Sequence, residues 1–156
     1  MKKLVSTLKL EKKEWLTYRK KGIGGSDAGA VCGLNPYRTA IQVYQDKISE
    51  EIEELDNEAM RQGREFEDYV AKRFMEATGK KVRRANAIFY HEKYPFMLAD
   101  VDRMVVGENA GLECKTASPY MADKWENGKI PLSYQIQCYH YMTVCGADAW
   151  YIAVVI

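Results

Sequence analysis

Two predicted strands and the turn between them decide the fold: 96–106, which spells FMLADVDRMVV, and 112–118, which spells LECKTAS. The intervening residues, GENAG, are typical of a hairpin connection. Because side chains alternate along a strand, Glu113 and Lys115 are predicted to share one face, about 6.5 Å apart. The apolar neighbours indicate a buried hairpin, where charged groups need a function. A solvated ion pair on an exposed hairpin is the alternative.

Carboxylates on this hairpin are candidate metal ligands. Asp100 and Asp102, on the first strand, can each bring a second carboxylate to the face that carries Glu113. Two carboxylates and a backbone carbonyl form an oxygen-rich site, which suits Mg²⁺ or Mn²⁺ and not zinc. Lys115, partly desolvated beside such an ion, is expected to orient an attacking water or to stabilise the charge that develops on a phosphoryl group.

Outward from the hairpin, the sequence predicts helices first and strands later. Periodicity and capping residues predict helices at 7–20, 26–33, 40–48 and 57–78, then a strand at 82–90. After the hairpin come a helix from Pro131 and a strand at 150–156. This order predicts an α+β fold, with a mixed central β-sheet flanked by α-helices. We expect a single domain over residues 1–156, and a natural fold that continues beyond the last strand.

Composition and charge narrow the class of protein. The 156 residues, 47% of them hydrophobic, are typical of one globular domain. A net charge of +1 gives no overall attraction to nucleic acid, but basic clusters at 12–21 and 80–84 lie on either side of an acidic run at 50–58. The chain contains neither a secretion signal nor a membrane span, so we expect a cytoplasmic protein with no membrane partner.

The four cysteines and a glycine-rich turn complete the local evidence. Cys32, Cys114, Cys138 and Cys145 form no C-x-x-C pair, so we expect buried thiols and neither a disulfide, a zinc site nor an iron–sulfur cluster. The turn GIGG at 22–25 requires tight turning or close approach of the backbone. Because it leads into a predicted helix, it is also a candidate anion site.

Four ordered motifs resemble those of one family. They are RKKGIGGSDAGAVCG at 19–33, GREFE at 63–67, ADVDR at 99–103 with GLECK at 111–115, and YQIQ at 134–137. Together they resemble the YqaJ-type viral recombinases, a phage lambda exonuclease-like family of the PD-(D/E)xK nuclease superfamily. The resemblance covers almost the whole chain and implies a restriction-endonuclease-like core.

The resemblance also implies a set of metal ligands. By it, Asp102, Glu113 and the backbone carbonyl of Cys114 bind the metal, and Glu67 reaches the same centre from its helix to complete a second metal position. Asp100 is a near neighbour of the first ligand, but Val-Asp-Arg matches the motif better at Asp102. By residue type alone, Glu67 would be an ordinary solvated helix residue.

The remaining roles concern catalysis and the substrate. The resemblance implies that Lys115 is the catalytic lysine and that Gln137, with Gln135 as the alternative, holds the site or the attacking water. Arg19 and Ser26, seven positions apart like the family's terminal-phosphate contacts, would bind a phosphate at a DNA end. Capping of a helix by Ser26 is the alternative role, and it does not exclude phosphate binding.

In function, the resemblance implies an Mg²⁺- or Mn²⁺-dependent exonuclease that digests linear duplex DNA from 5′ ends and leaves 3′ single-stranded overhangs. It implies three partners: double-stranded DNA ends, a single-strand annealing protein and further copies of the chain in a ring-shaped trimer. The setting would be the cytoplasm of a bacterial host, with a phage or prophage origin. Two alternatives stay open: an inactive DNA-binding module of the same fold, and a nuclease of different polarity, including the iron–sulfur nucleases, which need a cysteine quartet.

Overall fold

The computed structural model describes residues 1–52 and 56–156, so Glu53 and Glu54 of the acidic run lie outside the described residues. The helices are α1 (Lys12–Arg19), α2 (Gly25–Val31), α3 (Ala40–Ile48), α4 (Glu58–Thr78) and α5 (Leu132–Cys145). The strands are β1 (Lys2–Ser6), β2 (Val82–Arg83), β3 (Ala87–Tyr90), β4 (Leu98–Ala99), β5 (Arg103–Val105), β6 (Ala110–Thr116) and β7 (Ala149–Val155). Two 3₁₀ segments, Pro119–Lys124 and Glu126–Gly128, lie between β6 and α5.

The strands form two sheets. The larger has the order β2-β5-β6-β7, in which β6 and β7 are parallel and the other neighbours antiparallel. This is the mixed sheet that the sequence predicts, and helices flank it as expected. A smaller antiparallel sheet of order β1-β3-β4 lies beside it and was not predicted.

Two segments predicted as continuous strands are each divided between the sheets. The segment 82–90 is interrupted at Asn86, whose φ of 53° lies in the left-handed region. The segment 96–106 is interrupted between β4 and β5. Hydrophobic alternation does not reveal the second break, because buried residues occur on both sides of it. The second break frees Asp102 from the pleat, so its side chain can turn toward β6.

The helix predictions hold best where a cap residue marks the end. Thr39 Oγ1 accepts a hydrogen bond from the Gln42 N–H at the start of α3, and Asn57 Oδ1 accepts one from the Met60 N–H at the start of α4. Gly79, with a φ of 72°, ends α4 as predicted. The first helix was predicted to begin at residue 7 and begins at Lys12, because the residues before it form β1 and its connection.

Helices α4 and α5 pack against opposite faces of the larger sheet. Leu112 of β6 is fully buried against Ala71 and Phe74 of α4. On the other face, Tyr141 and other α5 residues join Met104, Val101 and Ala99 in a second cluster. The hairpin is therefore buried, as its sequence predicts. Because side chains alternate along β6, Glu113 and Lys115 point toward the α5 side.

The four cysteine thiols differ in their exposure to solvent. Cys145 is buried, Cys114 and Cys138 are half-buried, and all four cysteines are free, but Cys32 is exposed just after α2. The prediction of a buried thiol was therefore wrong for Cys32.

Among residues 1–52 and 56–156, every helix is too short or too polar to cross a membrane.

Candidate active site

The carboxylates of Asp102 and Glu113 lie close together at the β5–β6 hairpin. Asp102 directly precedes β5, and Glu113 lies within β6. Asp102 Oδ2 accepts a hydrogen bond from the Cys114 N–H at 2.8 Å, which ties it to the strand that carries Glu113. Glu113 is only 4% exposed, and Lys115 Nζ donates to its Oε1 at 2.7 Å. The predicted sharing of one face by Glu113 and Lys115 is thus observed. Among the described residues, nothing hydrogen-bonds Glu113 Oε2, although that atom is buried.

Burial and repulsion from neighbouring carboxylates raise the pKa of both acids. Burial, followed by repulsion from Glu113 and Glu67, raises the pKa of Asp102 to about 8. Burial also raises the pKa of Glu113, despite the attraction of Lys115. Of these two carboxylates, Glu113 is paired with Lys115, so the negative charge that an ionised Asp102 adds at this partly dehydrated site is not balanced by a cation of its own among the described residues. The unpartnered Glu113 oxygen and the all-oxygen donor set therefore fit a hard divalent cation held by Asp102, Glu113 and the Cys114 carbonyl.

Lys115 is held on two sides. Burial alone would lower the pKa of its ammonium, but attraction to Glu113 outweighs burial and the pKa is raised. Lys115 is therefore a cation at neutral pH. On the other side, its Nζ lies 4.6 Å from the centre of the Tyr134 ring, in cation–π contact. Tyr134 in turn stacks on Trp125, with 5.6 Å between ring centroids. Sequence reasoning gave these two rings no role.

Arg103 is a further residue near the acidic centre to which the sequence analysis assigned no role. Its side chain is almost fully buried and forms ion pairs with Glu67 and Asp68 of α4. It also donates to the backbone carbonyl of Asp102 at 2.7 Å. Glu67 is thus brought to the acidic centre, but its carboxylate is bound to Arg103. Within the described residues, no group of three or more His, Cys, Asp or Glu side chains has the arrangement of a metal site, so Glu67 as a second-metal ligand stays a prediction.

The predicted phosphate contacts Arg19 and Ser26 lie side by side. The Arg19 guanidinium donates to Ser26 Oγ at 2.8 Å and lies 4.6 Å from the centre of the Trp15 ring. The Trp15 indole N–H donates to Asp100 Oδ2. Asp100 therefore faces this pair, whereas Asp102 faces the hairpin, which supports Asp102 as the ligand. Helix α2 has only seven residues, so its N-terminus is not expected to bind an anion by itself. The ability to bind an anion here depends on the side chains of Arg19 and Ser26.

The two candidate glutamines are placed differently. Gln137 is buried, lines the same cavity as Asp102 and Glu113, and donates to the Tyr141 hydroxyl at 3.0 Å. The Gln135 side chain donates to the Ile130 carbonyl at 2.8 Å. This placement supports Gln137 over Gln135 as the residue beside the acidic centre.

Two clefts meet at this centre. One, of about 470 Å³, extends past the glycine turn and Ser26, and the other, of about 400 Å³, extends between α1, α4 and the end of β6. The side chains common to both clefts belong to Trp15, Arg19, Arg64, Glu67, Asp102 and Glu113. The acidic centre therefore lies in the groove that the two clefts form and is accessible from both of them.

Comparison with known proteins identifies the family. The sequence model of the YqaJ-like viral recombinase domain matches residues 14–148, which include Trp15, Arg19, the hairpin and α5. The chain belongs to the YqaJ family. The uncharacterised protein YqaJ of Bacillus subtilis (strain 168) is 47% identical over 146 residues, which are 93% of this chain and 46% of that protein. This YqaJ-like domain thus spans about half the length of that curated relative.

Solved structures show the fold of the YqaJ-like domain. The crystal structure of LHK-Exo in complex with dAMP is matched with a TM-score of 0.77 and 20% identity, over 92% of this chain and 73% of that one. The alkaline exonuclease LHK-Exo from Laribacter hongkongensis is also matched with a TM-score of 0.72 and 20% identity, over 89% and 73%. The fold is therefore restriction-endonuclease-like, as the sequence predicts.

One sequence signal could have pointed to a missed residue of this YqaJ-like domain. Arg103 is the only basic residue in FMLADVDRMVV, and a cation in a largely apolar strand needs partners. The sequence could not have named those partners, since Glu67 lies in the distant motif at 63–67 and Asp68 directly follows that motif. Tyr134 carries no comparable signal, because aromatic residues at the start of a helix usually serve packing.

Proposed function

We propose that this chain is the nuclease domain of a phage-type recombination exonuclease, which hydrolyses linear duplex DNA from 5′ ends with Mg²⁺ or Mn²⁺ and leaves 3′ overhangs. The observation that carries the proposal is the set of buried Glu113 and half-buried Asp102 and Lys115 at the junction of two clefts, with one Glu113 oxygen unpartnered among the described residues. Membership of a viral recombinase family and a fold shared with an alkaline exonuclease support it.

Each residue has a physical role in this proposal. Asp102, Glu113 and the Cys114 carbonyl hold the cation; when bound, it supplies the positive charge that polarises a phosphoryl oxygen and activates a water molecule. Lys115, fixed between Glu113 and the Tyr134 ring, orients the attacking water or stabilises the transition-state charge. We propose that Glu67 joins the metal centre by leaving Arg103.

The substrate is bound on either side of this centre. Gln137 holds the attacking water or a phosphate oxygen from α5. Arg19 and Ser26 bind the 5′-terminal phosphate, since a guanidinium beside a hydroxyl offers several donors to phosphate oxygens. We also propose, from the family, that the overhang passes to a single-strand annealing protein, that copies of the chain close into a ring-shaped trimer, and that the enzyme works in the cytoplasm of a bacterial host.

A nuclease assay tests the proposal. A 5′-phosphorylated linear duplex, labelled on one strand at a time, is incubated with the chain in Mg²⁺ and separately in EDTA. We expect Mg²⁺-dependent shortening of each strand from its 5′ end, leaving 3′ overhangs. Lys115→Met should lower the rate by about 100-fold or more, because it removes a charge aimed at the reacting phosphoryl group.

Lys72→Met, which alters an exposed lysine of α4, is the matched control and should digest DNA as the parent does. Shortening from 3′ ends would contradict the proposed digestion from 5′ ends but would still support nuclease activity. Binding of duplex without any metal-dependent cleavage, unchanged by Lys115→Met, would instead favour an inactive DNA-binding module.

A further inference from the structure

Asp27 is a buried carboxylate outside the acidic centre. It is 1% exposed, and each of its oxygens has a partner. Arg38 donates to Oδ1 at 2.7 Å, while the Gly24 N–H donates to Oδ2 at 2.9 Å and Lys47 Nζ lies 2.9 Å from the same oxygen. Apolar residues of similar size often stabilise a fold as well as a buried ion pair does. A charge kept here therefore suggests a requirement for exact placement.

Lys47 connects this carboxylate to the proposed phosphate site. Its Nζ also donates to the backbone carbonyl of Arg19 at 2.9 Å, and its side chain is largely buried. Arg19 is the last residue of α1, and its guanidinium donates to Ser26, the residue before Asp27. The contacts form a closed circuit: Arg19 backbone, Lys47, Asp27, Ser26 and the Arg19 side chain. The circuit fixes α1 relative to the start of α2.

Arg38 differs from Lys47 in one respect that matters. Both are cations on Asp27, but the second contact of Arg38 is to Asp46 at 3.4 Å, on the exposed side of α3. Its side chain is also more exposed than that of Lys47. Removing either cation weakens the pairing of Asp27, whereas removing Lys47 also releases the Arg19 backbone.

We propose that Asp27 and Lys47 are positioning residues that set the preference of this chain for a 5′-phosphorylated DNA end. The inference rests on the proposed function of Arg19 and Ser26. A binding group displaced by about 1 Å can lose about 100-fold in rate, because charge-assisted hydrogen bonds depend steeply on geometry. Loosening Arg19 weakens contact with the terminal phosphate and leaves the acidic centre intact. The effect is therefore specific to the phosphorylated end.

The test compares duplexes that differ only in a 5′-phosphate or a 5′-hydroxyl. Binding of each is measured by fluorescence anisotropy in EDTA, and digestion of each in Mg²⁺. Lys47→Met should lower the ratio of phosphate to hydroxyl affinity, and the same ratio of kcat/KM, by about tenfold. Arg38→Met should leave both ratios within about twofold of the parent. Lys47→Arg, which keeps a charged donor, should restore most of the preference.

Each outcome separates this inference from the proposed function. If the parent prefers phosphorylated ends in EDTA and Lys47→Met alone loses that preference, the inference stands even if no DNA is cleaved in Mg²⁺. If the parent cleaves DNA but Lys47→Met and Arg38→Met change the ratio equally, or neither changes it, the inference is overturned and the nuclease stands. Lys47→Gln, a neutral donor, replaces Lys47→Met should the latter fail to fold, with the same expected direction.

Discussion

At the scale of the residue, the negative charges of Asp102 and Glu113 that the proposed function requires are unfavourable for the stability of the metal-free fold. Glu113 is buried and Asp102 is half-buried, and burial together with the charges of Glu113 and Glu67 disfavours ionisation of Asp102. Asp102 accepts a hydrogen bond from the Cys114 N–H, which an amide oxygen can accept equally well. The negative charge at Asp102 is therefore a cost to the metal-free fold, and under the proposed function a bound cation would offset it.

This conflict makes a prediction for Asp102→Asn. The folded pKa of Asp102, about 8, lies above its ordinary value of 3.8, so the metal-free protein should lose stability as the pH rises from about 4 to about 8. Asp102→Asn should remove that loss and raise the free energy of unfolding at pH 8 by about 0.5–2 kcal/mol. Urea unfolding in EDTA at pH 5.5 and pH 8 measures the difference.

The control for that measurement is Asp123→Asn, at an exposed aspartate, which should leave the pH dependence unchanged. Addition of Mg²⁺ should stabilise the parent and stabilise Asp102→Asn less, because binding to the folded state alone raises its stability. Destabilisation by Asp102→Asn at pH 8 in EDTA would contradict the assignment of repulsion at this pair.

At the scale of the element, α2 lies unusually close to α5. A Cβ on Gly25 would lie 2.3 Å from the ring of Tyr141, which is buried and hydrogen-bonded to Gln137. The close approach lets α2 bring Ser26 toward the centre that α5 lines with Gln137. Gly25 is thus required by the close approach of two helices, and close approach is one of the two possibilities that the glycine-rich turn predicts.

Two glycine substitutions should have opposite signs. Gly25→Ala forces Tyr141 or α2 to move and should lower the free energy of unfolding by about 1–3 kcal/mol. Gly63→Ala lies inside α4, where the nearest atom to a new Cβ is Thr116 Oγ1 at 4.0 Å. It should raise the free energy of unfolding by about 0.5–1 kcal/mol, because alanine favours a helix interior over glycine. Urea denaturation measures both, and a shared sign would refute the packing argument.

At the scale of the whole molecule, basic residues line the groove although the chain has almost no net positive charge. The net charge is only +1, yet Lys12, Arg19, Arg64 and Arg84 line the two clefts. Arg64 donates to both oxygens of Asp56, at 2.9 and 2.8 Å, on an exposed surface where such pairs contribute little. A phosphate can replace that carboxylate. Under the proposed function, attraction to DNA is therefore expected to be local to the groove.

Salt dependence tests this arrangement. Three or four phosphate contacts predict that the logarithm of the DNA binding constant falls against log salt with a slope of about −3 to −4. Arg64→Met should reduce that slope by about one and weaken binding to all sequences alike. Arg73→Met, at an exposed arginine of α4 outside both clefts, should leave the slope unchanged. Anisotropy titrations from 50 to about 200 mM NaCl measure the slopes, and equal effects of the two variants would contradict a groove-bound DNA.

Much of the fold was readable from the sequence because it depends on local patterns. Capping residues located α3 and α4, and the alternation of β6 placed Glu113 and Lys115 on one face. The breaks at Asn86 and between β4 and β5 were not readable, because each half of a divided segment pairs with strands that lie elsewhere in the chain. For the same reason, the smaller sheet and β1, a short strand whose partners lie far along the chain, were missed.

By itself, the sequence determined the family, the order of elements and the set of candidate site residues, since alternation, capping and ordered motifs are properties of neighbouring positions. Only the tertiary structure decided which side chains pair: Arg103 with Glu67, Tyr134 with Lys115, and Lys47 with both Asp27 and Arg19. Each of these contacts joins segments that pack together only in the folded chain. The choice of a charged partner depends on burial and distance, and neither is a property of local sequence.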